Sequence, residues 1–129
     1  MSNIPTDLRY TADDEWIKIE GDIATIGITD HAQDALSDIV YLELPGEGDS
    51  FSIGETFGVV ESVKAAADLL MPVSGEITAV NEDLIDTPET LNEDPYGSAW
   101  LIKVKMSNLD DANSLLDADA YEKNLNERE

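Results

Sequence analysis

The sequence contains no cysteine, one histidine, and seven lysines and arginines against 29 aspartates and glutamates. Without cysteine there is no disulfide, no thiolate nucleophile and no thiolate-bound metal. His31 alone cannot build a histidine-rich metal site. A formal charge of −22 argues against nucleic acid and anionic membrane as partners, because phosphate binding needs clustered Lys and Arg. No apolar run approaches the roughly 20 residues of a membrane span. The opening "MSNIPTDLRYTADDEW" shows neither a basic leader ahead of an apolar run nor an Arg-rich transit pattern, so a cytoplasmic protein is expected.

What is present suffices for a core. Apolar residues make up 42% of the 129, and a domain of that length buries roughly two-thirds of its extended-chain surface. One domain is expected over residues 1–129, its core spanning about 8–106 and a helical segment about 108–127. The excess of acids has three readings. One is solubility alone, and another is faster encounter with partners that dock through basic faces. The third is adaptation to high salt, where self-repulsion is screened.

Short strands and turns fill the first two-thirds. "EWIKIE" alternates, with Trp16, Lys18 and Glu20 on one side and Ile17 and Ile19 on the other; Glu20-Gly21-Asp22 turns the chain into a return strand, Ile23 to Ile28. "DHAQDALSD" suggests a short helix capped by Asp30, with Gln33 reaching back. "IVYLEL" forms a strand ended by Pro45, and further strands follow Gly54 and Gly75. Thr87 is placed to cap a helical turn with Pro88 in it. "AWLIKVKM" alternates again. Beyond Met106 the pattern turns helical, with Asp119 and Glu122 as a capping pair. The whole suggests a small barrel or sandwich with a terminal helix.

One stretch resists this scheme. In "VVESVKAAADLL", residues 59–70, Val59, Val60, Val63, Ala66, Ala67 and Leu70 recur at helical spacing, and Pro72 would stop the helix. Periodicity therefore predicts an amphipathic helix. The strand alternative places Phe57, Val59, Glu61 and Val63 on one face. Lys64 is the only lysine or arginine between Lys18 and Lys103. It can be a plain surface cation, the commonest fate of a lysine. A Schiff-base role needs a depressed pKa, whereas the neighbouring acids Glu61 and Asp68 favour the ammonium. Covalent attachment of a cofactor needs a protruding tip with small neighbours, which Ser62, Ala65 and Ala66 supply.

Other constellations are weaker. Carboxylate pairs arise by chance among so many acids, and neither Asp13-Asp14-Glu15 nor Asp110-Asp111 fits a calcium loop. There is no nucleophile-elbow pattern. Gly46-Glu47-Gly48 lacks the third glycine and the helix that phosphate cradling needs. Trp16 and Trp100 are expected to anchor the core or close a cleft.

Taken in order, "ITDHAQ" at 28–33, "ESVKA" at 61–65, "PVSGE" at 72–76 and "LNEDPYG" at 91–97 resemble the H-protein family of the glycine cleavage system, over about residues 8–105. The resemblance implies a mainly β, lipoyl/biotinyl-type flattened barrel-sandwich of two antiparallel sheets, with short helices and a C-terminal helix. It implies lipoate joined as an amide to Lys64 at a hairpin tip, with Glu61, Ser62, Val63 and Ala65 forming the attachment hairpin. This contradicts the helical periodicity; tertiary pairing can override propensities worth tenths of a kcal/mol per residue. Glu15 and Asp68 fall where the family's cleft for the loaded arm lies.

The implied protein is a monomeric carrier without turnover of its own. Its implied partners are a pyridoxal-phosphate glycine decarboxylase, a tetrahydrofolate-dependent aminomethyltransferase, a flavin-containing dihydrolipoyl dehydrogenase and lipoylating enzymes. An H-like lipoate-relay protein is an alternative. A biotinyl carrier is another, although its lysine usually lies between methionines and here stands between Val63 and Ala65. The chain departs from the family pattern at Asp14 (usually His), Ser37 (commonly Gly), Leu70 (often Tyr) and "SAW" at 98–100.

Overall fold

The computed structural model describes residues 4–128. Among the described residues, nine strands form two antiparallel sheets. The larger contains β1 (Arg9–Tyr10), β2 (Glu15–Glu20), β3 (Ile23–Ile28), β9 (Ile102–Met106), β8 (Gly75–Val80) and β5 (Ser50–Phe51), in that spatial order. The smaller contains β4 (Ile39–Glu43), β6 (Thr56–Ser62) and β7 (Ala66–Leu70). Helices α1 (Asp30–Leu36), α2 (Asp83–Asp86) and α3 (Thr90–Glu93) sit in the connections. A 3₁₀ segment, Leu109–Ser114, leads to α4 (Ala118–Arg128). This is the mainly β architecture of two antiparallel sheets with a C-terminal helix that the resemblance implied.

The alternation of β2 and β3 explains their place. Ile17 and Ile26 are cross-strand partners and both are fully buried. With Leu42 and Val60 of the smaller sheet, and Ile77, Ile102 and Val104 of the larger, they form the core between the sheets. Each such side chain contributes about 1.5–3 kcal/mol when fully buried. Trp16 points the other way but is also buried, in a second cluster with Leu8, Tyr10, Ala118, Tyr121 and Leu125. Tyr10 and Tyr121 stack at 4.7 Å with rings 6° apart. The Trp16 indole lies where a Cβ on Gly27 would come within 2.5 Å of it, so residue 27 must be glycine for the ring to lie flat on β3. Its Nε1 donates to the Pro95 carbonyl at 2.8 Å. Trp100 packs at the margin of this cluster, with Lys103 Nζ 5.4 Å from its ring centroid.

Four local expectations are corrected. Residues 59–70 form no helix: Glu61 pairs with Ala66, Val60 with Ala67 and Val59 with Asp68 across a hairpin. The α1 cap is Thr29, whose Oγ1 accepts from Ala32 N at 3.2 Å. Asp30 lies inside the first turn, where its Oδ1 accepts from Gln33 Nε2. Thr87 caps no helix; it follows α2, and α3 starts only at Thr90. At α4 the cap is Asp117, accepting from Ala120 N at 2.8 Å, and not Asp119.

Ser37 ends α1 with φ 71° and ψ −150°, a region essentially reserved for glycine. Its amide still closes the helix on the Gln33 carbonyl at 3.0 Å. Ser37→Gly is expected to stabilise the protein by about 1 kcal/mol, the strain relieved less the extra freedom gained by the unfolded chain. Urea unfolding should show a higher midpoint at unchanged slope; a lower midpoint would refute the strain.

Candidate functional site

The β6–β7 hairpin closes through residues 63–65. Ser62 N donates to the Ala65 carbonyl at 2.7 Å. The Ser62 hydroxyl accepts from Lys64 N at 3.3 Å and from Ala65 N at 3.0 Å, and donates to the Ala65 carbonyl at 3.1 Å. One short side chain thus uses its single donor and both lone pairs on the turn. Val63 N donates to the Asp38 carbonyl at 3.0 Å, which braces the turn against the start of β4. The backbone under Lys64 is therefore fastened, while Lys64, Ala65 and Ala66 are exposed and Val63 is 66% exposed. Glu61 is half-buried at the last strand pair. All five predicted hairpin residues lie together, and the lysine is the side chain the turn presents.

Glu15 and Asp68 meet at a different place. Both line a cavity of about 180 Å³ together with Asp13 and Asp14, with Ile28, Leu36, Val60 and Leu69 among its apolar walls. Asp68 lies four residues from Lys64 along the hairpin, on the order of 13 Å for extended chain. Asp68 is exposed, whereas Glu15 is only 2% exposed. Glu15 Oε2 accepts from Leu70 N at 2.8 Å, and Thr11 Oγ1 donates to Oε1 at 3.5 Å. Burial, reinforced by Asp13 and Asp14, pushes the Glu15 carboxyl up to about 8 despite these bonds. A larger groove of about 550 Å³, lined by Ser50–Ser52, Glu55, Ser74–Glu76 and Lys105–Ser107, contains none of the predicted site residues.

The cleft is held by residues that periodicity does not single out. Tyr121 of α4 shares a hydrogen bond with Thr29 Oγ1 at 2.8 Å and donates to Asp14 Oδ1 at 3.0 Å. Asp14, with φ 68°, offers its carbonyl to Thr29 N at 3.0 Å. Burial raises the Tyr121 phenol above its ordinary value, so it stays a neutral donor. Asn92 joins three segments: Nδ2 donates to Gln33 Oε1 and to the Ser37 carbonyl, and Oδ1 accepts from Ile39 N. Thr29 and Asn92 stand inside "ITDHAQ" and "LNEDPYG", so the motifs pointed to them, but only the tertiary bonds reveal their work. Tyr121 had no such signal.

Comparison with known proteins supports the fold. The family model described as glycine cleavage H-protein matches residues 8–128. A glycine cleavage system H protein from Carboxydothermus hydrogenoformans is 56% identical over 127 residues, covering 98% of each chain. One from Chromohalobacter salexigens is 57% identical over 123 residues, covering 95% of this chain and 94% of that one. The crystal structure of a glycine cleavage system H protein from Mycobacterium marinum superposes with a TM-score of 0.88 at 42% identity, covering 95% of this chain and 99% of that one.

The Glu15 carboxyl binds its proton more tightly in the folded protein, about 8 against 4.5. Its contribution to stability is therefore complete below about 4.5 and is lost as pH rises through about 8. Glu15→Gln keeps an acceptor for Leu70 N and cannot ionise. Relative to wild type, the variant should gain stability across this window, with a limiting slope of about 1.4 kcal/mol per pH unit. Urea unfolding from pH 5 to 9 checks this, and a difference that does not change with pH would contradict it.

Proposed function

The chain belongs to the glycine cleavage H-protein family, the lipoate-carrier shuttles of the glycine cleavage system, and from that premise we propose that Lys64 carries lipoate as an amide on Nζ. The observation that supports this is the exposed lysine at a turn fastened by Ser62 and flanked by Ala65 and Ala66. An acylating enzyme can reach the amine there without displacing any packed side chain. The residues suit the group: a primary amine accepts the acyl bond, and amide formation removes the only lysine or arginine charge between Lys18 and Lys103. An uncharged arm enters a partner's dry pocket at lower desolvation cost. When bound, lipoate supplies a disulfide that accepts the aminomethyl group of glycine and is left as a dithiol after transfer.

The chain's own contribution is presentation and protection. The tether raises the arm's concentration at each partner. The cleft at Glu15 and Asp68 lies along the hairpin that bears the lysine and combines apolar walls with several carboxyls. In this reading the apolar walls would hold the methylenes of the arm, and Asp68 and Glu15 would supply the carboxyls facing a cationic group on it. The same apolar walls would exclude water from a group held there.

The protein works with other components of the glycine cleavage system. The specific partners proposed are the glycine decarboxylase, the aminomethyltransferase, the dihydrolipoyl dehydrogenase and a lipoylating enzyme, with the carrier itself a non-catalytic monomer in the cytoplasm. Its surface, at −22, suits brief docking on basic faces, where rim charges act mainly on association rate. Among the described residues no helix is long and apolar enough to cross a membrane.

Intact mass after co-expression with a lipoylating system tests the attachment. Wild type should gain one lipoyl increment and Lys64→Ala none; an increment that survives in the variant would place the arm elsewhere. Reconstitution of the lipoylated protein with the decarboxylase should support glycine–bicarbonate exchange, and its absence would favour lipoate relay.

A further inference from the structure

Val40 and Tyr41, consecutive residues of β4, are both exposed, at 56% and 46%. A regular strand would turn one of them inward. The register against β6 shifts between Ile39, opposite Ser62, and Tyr41, opposite Glu61, so Val40 is the additional residue of a β-bulge. A bulge sets two residues against one and re-aims a side chain. Here Ile39 and Leu42 on either side stay buried while both residues between them face solvent. The bond from Val63 N to the Asp38 carbonyl brings the attachment turn to the start of this strand, and with it the exposed Val63. Three of the six large apolar side chains exposed among the described residues therefore gather at the lysine-bearing corner.

The surroundings of this corner are acidic. Tyr41, Glu61 and Ala66 form one cross-strand row, and Glu43, Val59 and Asp68 the next. Glu43, Glu61 and Asp68 thus share the outer face with Tyr41, whose hydroxyl donates to Glu43 Oε2 at 3.4 Å. None of the three strands of this sheet contains a lysine or an arginine. Neither the attachment chemistry nor the cleft uses Val40 or Tyr41. Packing does not explain their exposure, and an apolar cluster beside a modified residue is the kind of surface a partner covers.

We infer that the bulged corner of Val40 and Tyr41, with Val63, is the surface on which the enzyme that acylates Lys64 seats the hairpin. The chemistry that fits it is an apolar recess edged by arginine or lysine. The acylating enzyme is favoured because it must bring its active site to Nζ itself, within one side chain of the turn. Enzymes that act on the sulfurs meet them at the far end of the arm and need not touch this corner. The inference rests on the carrier reading of Lys64.

The test measures lipoyl transfer to the apoprotein by a purified ATP-dependent lipoate ligase with lipoate and ATP, followed by intact mass over a range of acceptor concentrations. The Val40→Ser/Tyr41→Ser variant should lose about tenfold in kcat/KM, through KM, with its thermal midpoint retained. Glu43→Lys, a single exposed substitution, should lower kcat/KM and flatten its dependence on salt. Ile53→Ser, which removes an exposed apolar side chain elsewhere, should match wild type, and reoxidation of the loaded double variant by dihydrolipoyl dehydrogenase should be unchanged. Wild-type kcat/KM in the double variant and in Glu43→Lys, or an equal loss in Ile53→Ser, would overturn the docking surface while leaving the carrier reading intact. Failure of wild type to accept lipoate at Lys64 would overturn both.

Discussion

A half-buried edge-strand amide needs an acceptor, and at Leu70 that acceptor is a carboxyl from the opposite sheet. β7 is the edge of the smaller sheet, so it has no further strand to bond on its outer side. Glu15, at the start of β2, supplies Oε2 to Leu70 N. This bond closes the seam between the sheets and, by the same act, buries an ionisable group in the wall of the cleft. Closing with an apolar side chain would deprive this half-buried amide of its acceptor. The seam and the cleft are thus one feature.

Around that seam the chain divides its labour between rigidity and exposure. The Ser62 hydroxyl bonds hold the tip, and the Val63–Asp38 bond ties it to β4. Behind the cleft, Tyr121 links α4 to Thr29 and Asp14, and Asn92 links α3 to α1 and β4. Lys64 needs a fixed base because its own side chain and the arm proposed for it are flexible. A mobile base would add ordering entropy to every encounter with a partner.

Much of this was legible from local pattern. The alternation of "EWIKIE" and the Gly21 turn gave the β2–β3 hairpin, and the switch of pattern after Met106 gave the terminal helix. The motifs of the resemblance mark positions where tertiary structure asks for one residue type. Gly75 of "PVSGE" is such a case: a Cβ there would come within 2.2 Å of the Lys105 carbonyl oxygen. Capping was misplaced at both α1 and α4 because Asp30 and Asp119 are good cap residues standing one or two places inside the true boundaries, Thr29 and Asp117. Local chemistry allows either position, and the bonds of Thr29 to Tyr121 and Asp14 settle the first.

By itself the sequence determined the class of structure, the poverty of bases and the isolation of Lys64 among small neighbours, since composition and spacing are local facts. Only the tertiary structure decided that residues 59–70 are two strands and a turn. Their helical spacing of valines and alanines is worth tenths of a kcal/mol per residue, whereas pairing with β4 and packing of Val60 and Leu69 into the core are worth several times that. The burial of Glu15 and the outward turn of Val40 and Tyr41 were likewise decided by contacts between segments far apart in the chain, which no window of sequence contains.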